Sequence, residues 1–420
     1  MRGCLLVIWL LACGCQALNY TGTAVTYHHQ KNLTDKVVVR YKLGFSSCLS
    51  FFQLNCSTEA CGVDVVSVKR VDQNIGEWCQ EEVVAHVSTG ESAPIKLGLN
   101  GLRWIPWLAN NVTEVMAVSK IEFSERSDTR QPNVSPRTTV LPVVRVPSGC
   151  AVKAKLPTFD PDGDRVKCFA LRSDNNPSFL HLKEDCSMTI GASYKEASYA
   201  VQLHMQDIVR EDIYLTNSNE NGGHIPQDEP ISDVAIQFVL RVGPPVGSCN
   251  EGDYLPYFVD PTPQDGDHLY ASVNKKLEIR INATAEKSNI TGLLFSGPAG
   301  IQKSYSDDGS FLLAYTPSPI DAAQRHALCF VVQAFANTTG NASLAELHSP
   351  MRCVIIVVDH TLFALEATFR LRTFNAMQDI NNVALPQLKK ELVLQGLPPD
   401  ISLRVVKFQE RHLNITDSGF

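Results

Sequence analysis

The segment Phe159-Asp160-Pro161-Asp162-Gly163-Asp164-Arg165-Val166 places three carboxylates at alternate positions around a Pro and a Gly. Side chains spaced in this way can aim several oxygens at one hard cation, and calcium prefers such a ligand set. The spacing is not that of an EF-hand loop, which needs glycine sixth and glutamate twelfth. Counting from Asp160, glycine falls fourth at Gly163, and the twelfth residue is Leu171. Two readings follow. Either Asp160, Asp162 and Asp164 hold calcium, or the segment is a turn between strands whose Asp and Gly serve backbone geometry.

Other reactive side chains form no comparable constellation. His28 and His29 are adjacent, so on a strand they face opposite ways and cannot share a metal. There is no His-Glu-x-x-His and no Gly-x-Ser-x-Gly. No catalytic residue is assigned, and the chain is not expected to be an enzyme. Trp104-Ile105-Pro106-Trp107 is an apolar cluster beside the Asn111 sequon. It is read as core of the first structural unit, against the alternative of an aromatic platform for sugars or partner proteins. The formal charge of -7 is mild, and no basic stripe points to nucleic acid.

The compartment is written at the N-terminus. Arg2, the apolar run Leu5 to Ala12, and small or neutral residues ending in Ala17 have the layout of a secretory signal peptide over 1–17. The run falls short of the roughly 20 residues that span a bilayer. A lipoprotein reading of Leu11-Ala12-Cys13 is outweighed by the features that follow. Ten cysteines remain after this segment: Cys48, Cys56, Cys61, Cys79, Cys150, Cys168, Cys186, Cys249, Cys329 and Cys353. An even number with no Cys-x-x-Cys favours disulfides over zinc. The first four are expected to pair among themselves. Cys168 with Cys186 and Cys329 with Cys353 are read as local staples. Cys150 and Cys249 are left for each other or for an exchange within the set. Asn-x-Ser/Thr sequons occur at Asn19, Asn32, Asn55, Asn111, Asn133, Asn282, Asn289, Asn337, Asn341 and Asn414. Each is a candidate glycan site and so a candidate surface position.

The elements that must position these residues are mostly strands. Lys36–Leu43, Val63–Val71, Glu114–Phe123, Tyr199–Met205, Val234–Val242, Leu277–Ala283 and Ser310–Tyr315 are β-branched and mostly alternate with period two. Gly, Pro, Asn and Asp clusters punctuate them. The predicted fold class is mainly β, with several disulfide-stapled antiparallel β-sandwich domains and a small C-terminal α/β segment. Proline and glycine set the boundaries: an N-terminal β domain over 18–145, a cadherin-like or Ig-like sandwich over 147–243, and a second sandwich over 246–359. The tail, 360–420, reads as strand, helix, strand. Its helix starts at Pro386 and stops before Gly396, between strands over 365–372 and 401–408.

Several segments carry a resemblance. Arg126-Ser127-Asp128-Thr129, Pro132-Asn133-Val134-Ser135-Pro136, Leu141-Pro142-Val143, Arg145-Val146-Pro147 and the Asp160–Asp164 run with Val166 and Cys168 come in this order. Cys249 to Phe258, Pro261-Thr262-Pro263, Ser296-Gly297-Pro298, Tyr315-Thr316-Pro317, Cys329-Phe330 and Met351 to Val354 continue it. Over most of residues 100–358 the pattern is similar to a family of secreted, mostly uncharacterised animal glycoproteins common in fish. That resemblance carries no activity. Phe169 stands where family members often have Arg after the cysteine. The Asp-rich segment alone also resembles the turn of cadherin-like extracellular sandwich modules.

These readings describe a secreted or cell-surface glycoprotein acting by binding or adhesion through sandwich surfaces, stiffened by calcium if the Asp-rich segment holds it. The expected partner is an extracellular protein or glycan. The alternative is a structural component of a matrix or egg coat, with an extracellular enzyme third.

Overall fold

The protein is described from a computed structural model. The structure describes residues 19–29, 36–48, 53–56, 62–88, 94–100, 102–171, 175–193, 195–216, 223–306, 309–337, 344–359, 385–394 and 403. The segment 1–17 and, apart from Leu403, the tail strands over 365–372 and 401–408 lie outside these residues. The chain divides into two compact units, 1–362 and 363–420. In the second, the described element is the helix Leu385–Leu394, with Pro386 in its first turn, where a missing N–H costs no helical hydrogen bond. No helix among the described residues is long and apolar enough to cross a membrane.

The first unit is organised by the strand Pro230–Gly243. Its run Val234-Ala235-Ile236-Gln237-Phe238-Val239-Leu240 is buried throughout, the pattern of a strand covered on both faces. Along one edge it pairs antiparallel with Ala197–Ile208, from Ala197 opposite Val242 to Ile208 opposite Pro230. Three segments share the other edge. Lys120 lies opposite Asp233, Gly22 to Ala24 lie opposite Phe238 to Ile236, and Val143–Pro147 runs parallel from Val239 to Gly243. The approach at Gly22 requires glycine: a Cβ there would sit 2.2 Å from the Gln237 carbonyl oxygen. From Asn19–His29 the sheet continues through Lys36–Phe45 and Trp78–Ser88 to Gly62–Asn74.

This topology corrects the division at residues 145–147. Strands of 18–145 and of 147–243 hydrogen-bond within one sheet, and Tyr20, Val39, Trp78, Leu203, Phe238 and Val242 belong to one core. Val146 and Pro147, at that boundary, form the end of a strand. The Pro230–Gly243 strand is apolar on both faces and pairs along both edges, so it needs neighbours from both spans.

Residues 246–359 do build a sandwich. One sheet contains His268–Ser272, Arg352–Asp359, Arg325–Asn337 and Asn289–Ser296; the other contains Tyr257–Val259, Leu277–Thr284, Phe311–Tyr315 and Gln302–Tyr305. Ile281, Phe295, Leu313, Phe330, Val354 and Ile356 fill the space between them. Val71, from the strand Gly62–Asn74, joins that core. The neighbouring Asp72 accepts hydrogen bonds from the Phe295 N–H (3.0 Å) and from Lys303 Nζ (2.8 Å).

Among the described residues four disulfides form: Cys48–Cys79, Cys150–Cys249, Cys168–Cys186 and Cys329–Cys353. Cys61 and the side chain of Cys56 lie outside the described residues. Cys150 and Cys249, which sequence left open, pair with each other. The Cys150–Cys249 bond closes 99 residues, a loop whose constraint is worth about 4–5 kcal/mol in the chain-entropy picture.

A charged seam joins the large sheet to the sandwich. Arg145 Nη2 contacts Glu77 at 2.6 Å and Glu346 at 2.9 Å, and Arg241 also pairs with Glu77. Glu346 accepts from Gln333 at 2.8 Å and from Asn74 at 3.1 Å. Burial alone would raise the Glu346 carboxyl, but the His348 hydrogen bond and the Arg145 charge hold it at about 2. Its folded value lies below the ordinary 4.5, so the folded state binds fewer protons at this site. The stability it contributes is complete above pH 4.5 and fades as pH falls toward 2. Urea midpoints measured from pH 5 to pH 2.5 are expected to fall more steeply for the native protein than for Glu346→Gln.

Candidate cation site

The Asp-rich segment folds as a tight turn. The Asp160 side-chain Oδ1 accepts from the backbone N–H of Asp162 (2.8 Å) and of Asp164 (3.3 Å). The Gly163 N–H reaches the Asp160 carbonyl at 3.3 Å. Gly163 has φ +90°, and a Cβ there would meet nothing within 4 Å; glycine is needed for its backbone conformation and not for space. The turn then enters the strand Arg165–Ala170, whose register sets Val166 opposite Asp207. That register brings a fourth aspartate to the turn from a distant part of the chain.

Asp207 was not among the residues singled out from sequence, although a signal exists. In the strand Ala197–Ile208, the alternate positions Val201, Leu203 and Met205 point inward, and Asp207 continues that phase. A carboxylate on the core face of a strand must find partners. Its Oδ1 accepts from the Ser232 N–H (2.6 Å), and its Oδ2 from Ser232 Oγ (2.9 Å) and Asn133 Nδ2 (2.8 Å).

The second unanticipated group is Arg126, 1% exposed. Its guanidinium forms a bidentate pair with Asp164. A second fork reaches Asp128, with Nε donating at 3.0 Å and Nη2 at 2.7 Å. Nη1 also donates to Asn133 Oδ1 (2.9 Å) and lies 3.5 Å from Asp162. Burial alone would lower the Arg126 pKa, but hydrogen bonds to Asp164 and Asp128 raise it above its ordinary value. Asp128 is held low, first by its hydrogen bond from Arg126.

The carboxylates outnumber this cation. Burial, followed by the charges of Asp207, Asp164 and Asp162, pushes Asp160 up to about 8. Burial pushes Asp162 to about 6 and raises Asp207. Oxygens of Asp160, Asp164 and Asp207 lie within 4.8 Å of one another, close to the spacing at which calcium, binding oxygen at about 2.3–2.6 Å, gathers its ligands. Asp160 is 9% exposed, and its buried Oδ2 has no hydrogen-bond partner. A cleft of about 440 Å³, lined by Lys155, Phe159, Arg165, Lys167 and Arg210, opens at Asp160 and Asp164.

The expected triad is thus redistributed. Asp160 and Asp164 lie in the group and Asp207 completes it. Asp162 turns instead to the Val134 N–H, which donates at 2.8 Å, and to Arg126.

Other predicted positions also divide. Asn133 is fully buried and its amide is bonded to Tyr27, Asp207 and Arg126. A glycan on its Nδ2 would displace the hydrogen bonds to Tyr27 and Asp207, and Ser135 of the same sequon is buried too. Asn111 and Asn289 are exposed, while Asn19 and Asn282 are half-buried. Asn32, Asn341 and Asn414, with the side chains of Asn55 and Asn337, lie outside the described residues. Trp104 is core, edge-on to Tyr20 at 4.8 Å. Trp107 is not core: it is 92% exposed, because the backbone turns outward there with φ +66°.

No protein-family profile matches this sequence, and no curated protein sequence matches it. Solved structures with local likeness include human protocadherin-24 EC1-2, at 12% identity over 55% of this chain and 100% of that one, TM-score 0.20. Drosophila N-cadherin EC1-4 gives 13% identity over 73% and 69%, TM-score 0.21. The sialic acid binding region of a Streptococcus sanguinis adhesin gives 12% over 53% and 77%, TM-score 0.18. At these scores the likenesses carry no argument about fold or function. The fold class rests on the strands of this chain.

Removing one partner of a buried ion pair strands the other charge, at a cost of about 3–5 kcal/mol. Arg126→Met is therefore expected to lower unfolding stability by that amount in urea titrations at pH 7. Lys155→Met, on the exposed rim of the cleft, is expected to change it by less than about 0.5 kcal/mol.

Proposed function

We propose that this chain is an extracellular binding module, secreted through its N-terminal signal and stiffened by calcium at Asp160, Asp164 and Asp207. The observation that carries the reading is the group Asp160, Asp164 and Asp207, with carboxylate oxygens within 4.8 Å of one another and Asp160 Oδ2 buried without a hydrogen-bond partner. Buried charge is normally paired or bound to metal; burial and the neighbouring carboxylates push Asp160 up to about 8, so calcium would bind by displacing its proton. Calcium would supply the missing charge and bind carboxylate oxygens already fixed by other contacts. It would tie the Asp160–Asp164 turn to the strand Ala197–Ile208. Four disulfides fit an oxidising compartment, and the exposed sequons support a glycosylated surface. Function then lies in surface contact with an extracellular protein or glycan, without catalysis.

The test uses the whole secreted chain, because 147–243 shares its sheet with 18–145. Calcium added to chelator-treated protein is expected to release or absorb heat at submillimolar concentration and to raise the melting temperature. Asp160→Asn and Asp207→Asn should each abolish both effects. No heat and no shift up to about 10-fold higher calcium would rule out calcium and leave a buried polar network around Arg126.

A second reading, self-association in a matrix, has one observation in its favour. Gly62–Asn74 is the terminal strand of its sheet among the described residues, and Val65, Val66 and Val68 on it are about half exposed. Unprotected apolar edges pair with other chains. If this edge assembles copies, sedimentation will show concentration-dependent oligomers that Val66→Lys disperses; a monomer at all concentrations rejects it.

A further inference from the structure

Trp107 is held out of the core by a rigid frame. Pro106 precedes it with its fixed φ. On one side the Ile105 N–H donates to the Tyr20 carbonyl at 3.0 Å; on the other the Ala109 N–H donates to the Ser198 carbonyl at 2.8 Å. The Asn110 side chain donates to the carbonyls of Asn175 (2.6 Å) and Ala200 (2.8 Å) and accepts from the Ala200 N–H (3.1 Å). Between these clamps Trp107 takes φ +66°, a conformation that bulky side chains avoid. A large apolar ring kept 92% exposed on a strained, fixed backbone is arranged to be covered.

The covering group is on the same loop. Asn111 and Thr113, the two recognition residues of one sequon, are both exposed. The Asn111 N–H donates to the Leu108 carbonyl at 3.1 Å and closes a tight turn directly after Trp107. The ends of such a turn lie within about 7 Å, and one more residue adds about 3.8 Å. The indole and the glycan stem therefore start within about 11 Å of each other. Sugar rings present apolar C–H faces, and packing one on the indole removes apolar surface from water.

We propose that Trp107 is a shelf on which the first sugars of an N-glycan at Asn111 pack, so that the chain's own glycan covers its exposed tryptophan. This inference rests on the secretory reading proposed above. It gives the glycan a fixed direction.

The protein contains Trp9, Trp78, Trp104 and Trp107. Trp9 lies in the expected signal peptide, and Trp78 and Trp104 are 1% and 3% exposed, so acrylamide quenching of the secreted protein reads Trp107. Thr113→Ala removes the sequon while leaving Asn111 and the backbone in place, and Asn289→Gln removes a distant glycan. Glycan occupancy is checked by mass spectrometry, and Trp107→Phe confirms the source of the quenched signal. Stacking covers one of two ring faces, so Thr113→Ala is expected to raise the quenching constant about twofold, with no change in Asn289→Gln. A glycan present at Asn111 with quenching unchanged by Thr113→Ala overturns the shelf, as does low quenching in both, which would mean another protein covers the ring. Glycans at Asn289 but none at Asn111 overturn the shelf alone. Glycans at no site overturn the secretory reading with it.

Discussion

A buried carboxylate needs a partner, and around Arg126 that requirement ties together segments from across the first 243 residues. Asp164 and Asp128 meet the guanidinium directly. Asn133 passes the contact to Asp207 and Tyr27, and Asp207 passes it to Ser232 on the central strand. The turn at Asp160, the loop at 126–134, the first strand and two long sheet strands are thus fixed by one polar node. Such a node is costly when half satisfied, and its unsatisfied member is Asp160 Oδ2. The same arrangement that orders the sheet leaves one buried carboxylate oxygen of the turn without a hydrogen bond.

The sandwich over 246–359 is joined to this sheet by different chemistry. Val71 enters its core while Asp72, one residue on, bonds Lys303 and the Phe295 backbone. The Arg145–Glu346 contact and the Cys150–Cys249 bond add a charged and a covalent link. Apolar insertion, ion pairing and covalent constraint respond differently to salt, acid and reductant, so the joint does not depend on any single condition. The two parts are thereby held together by three kinds of contact.

Much of the fold was legible because period-two alternation and turn residues are local signals. Val234–Val242 and Leu277–Ala283 are strands where the pattern placed them, and the Pro386 helix begins within one residue of its reading. Local staples such as Cys168–Cys186 were legible for the same reason. The merging of two spans into one sheet was not, since it depends on which strands share the edges of Pro230–Gly243, a property of sequence separations above 200 residues. Asp160 and Asp164 could be named from their run, but their companions Asp207 and Arg126 arrive through strand register. Asn133 shows the converse: a motif legible in sequence whose meaning burial reverses. Trp107 shows the same limit, because one backbone angle separates a core tryptophan from an exposed one.

Whether Asp160, Asp164 and Asp207 share one calcium ion is decided by a crystal structure of the secreted chain grown with calcium. A shared ion will carry calcium's anomalous signal at about 2.3–2.6 Å from an oxygen of each of the three, with Asp160 Oδ2 among the ligands. An ordered water or no density beside Asp160 Oδ2, at saturating calcium, would contradict it.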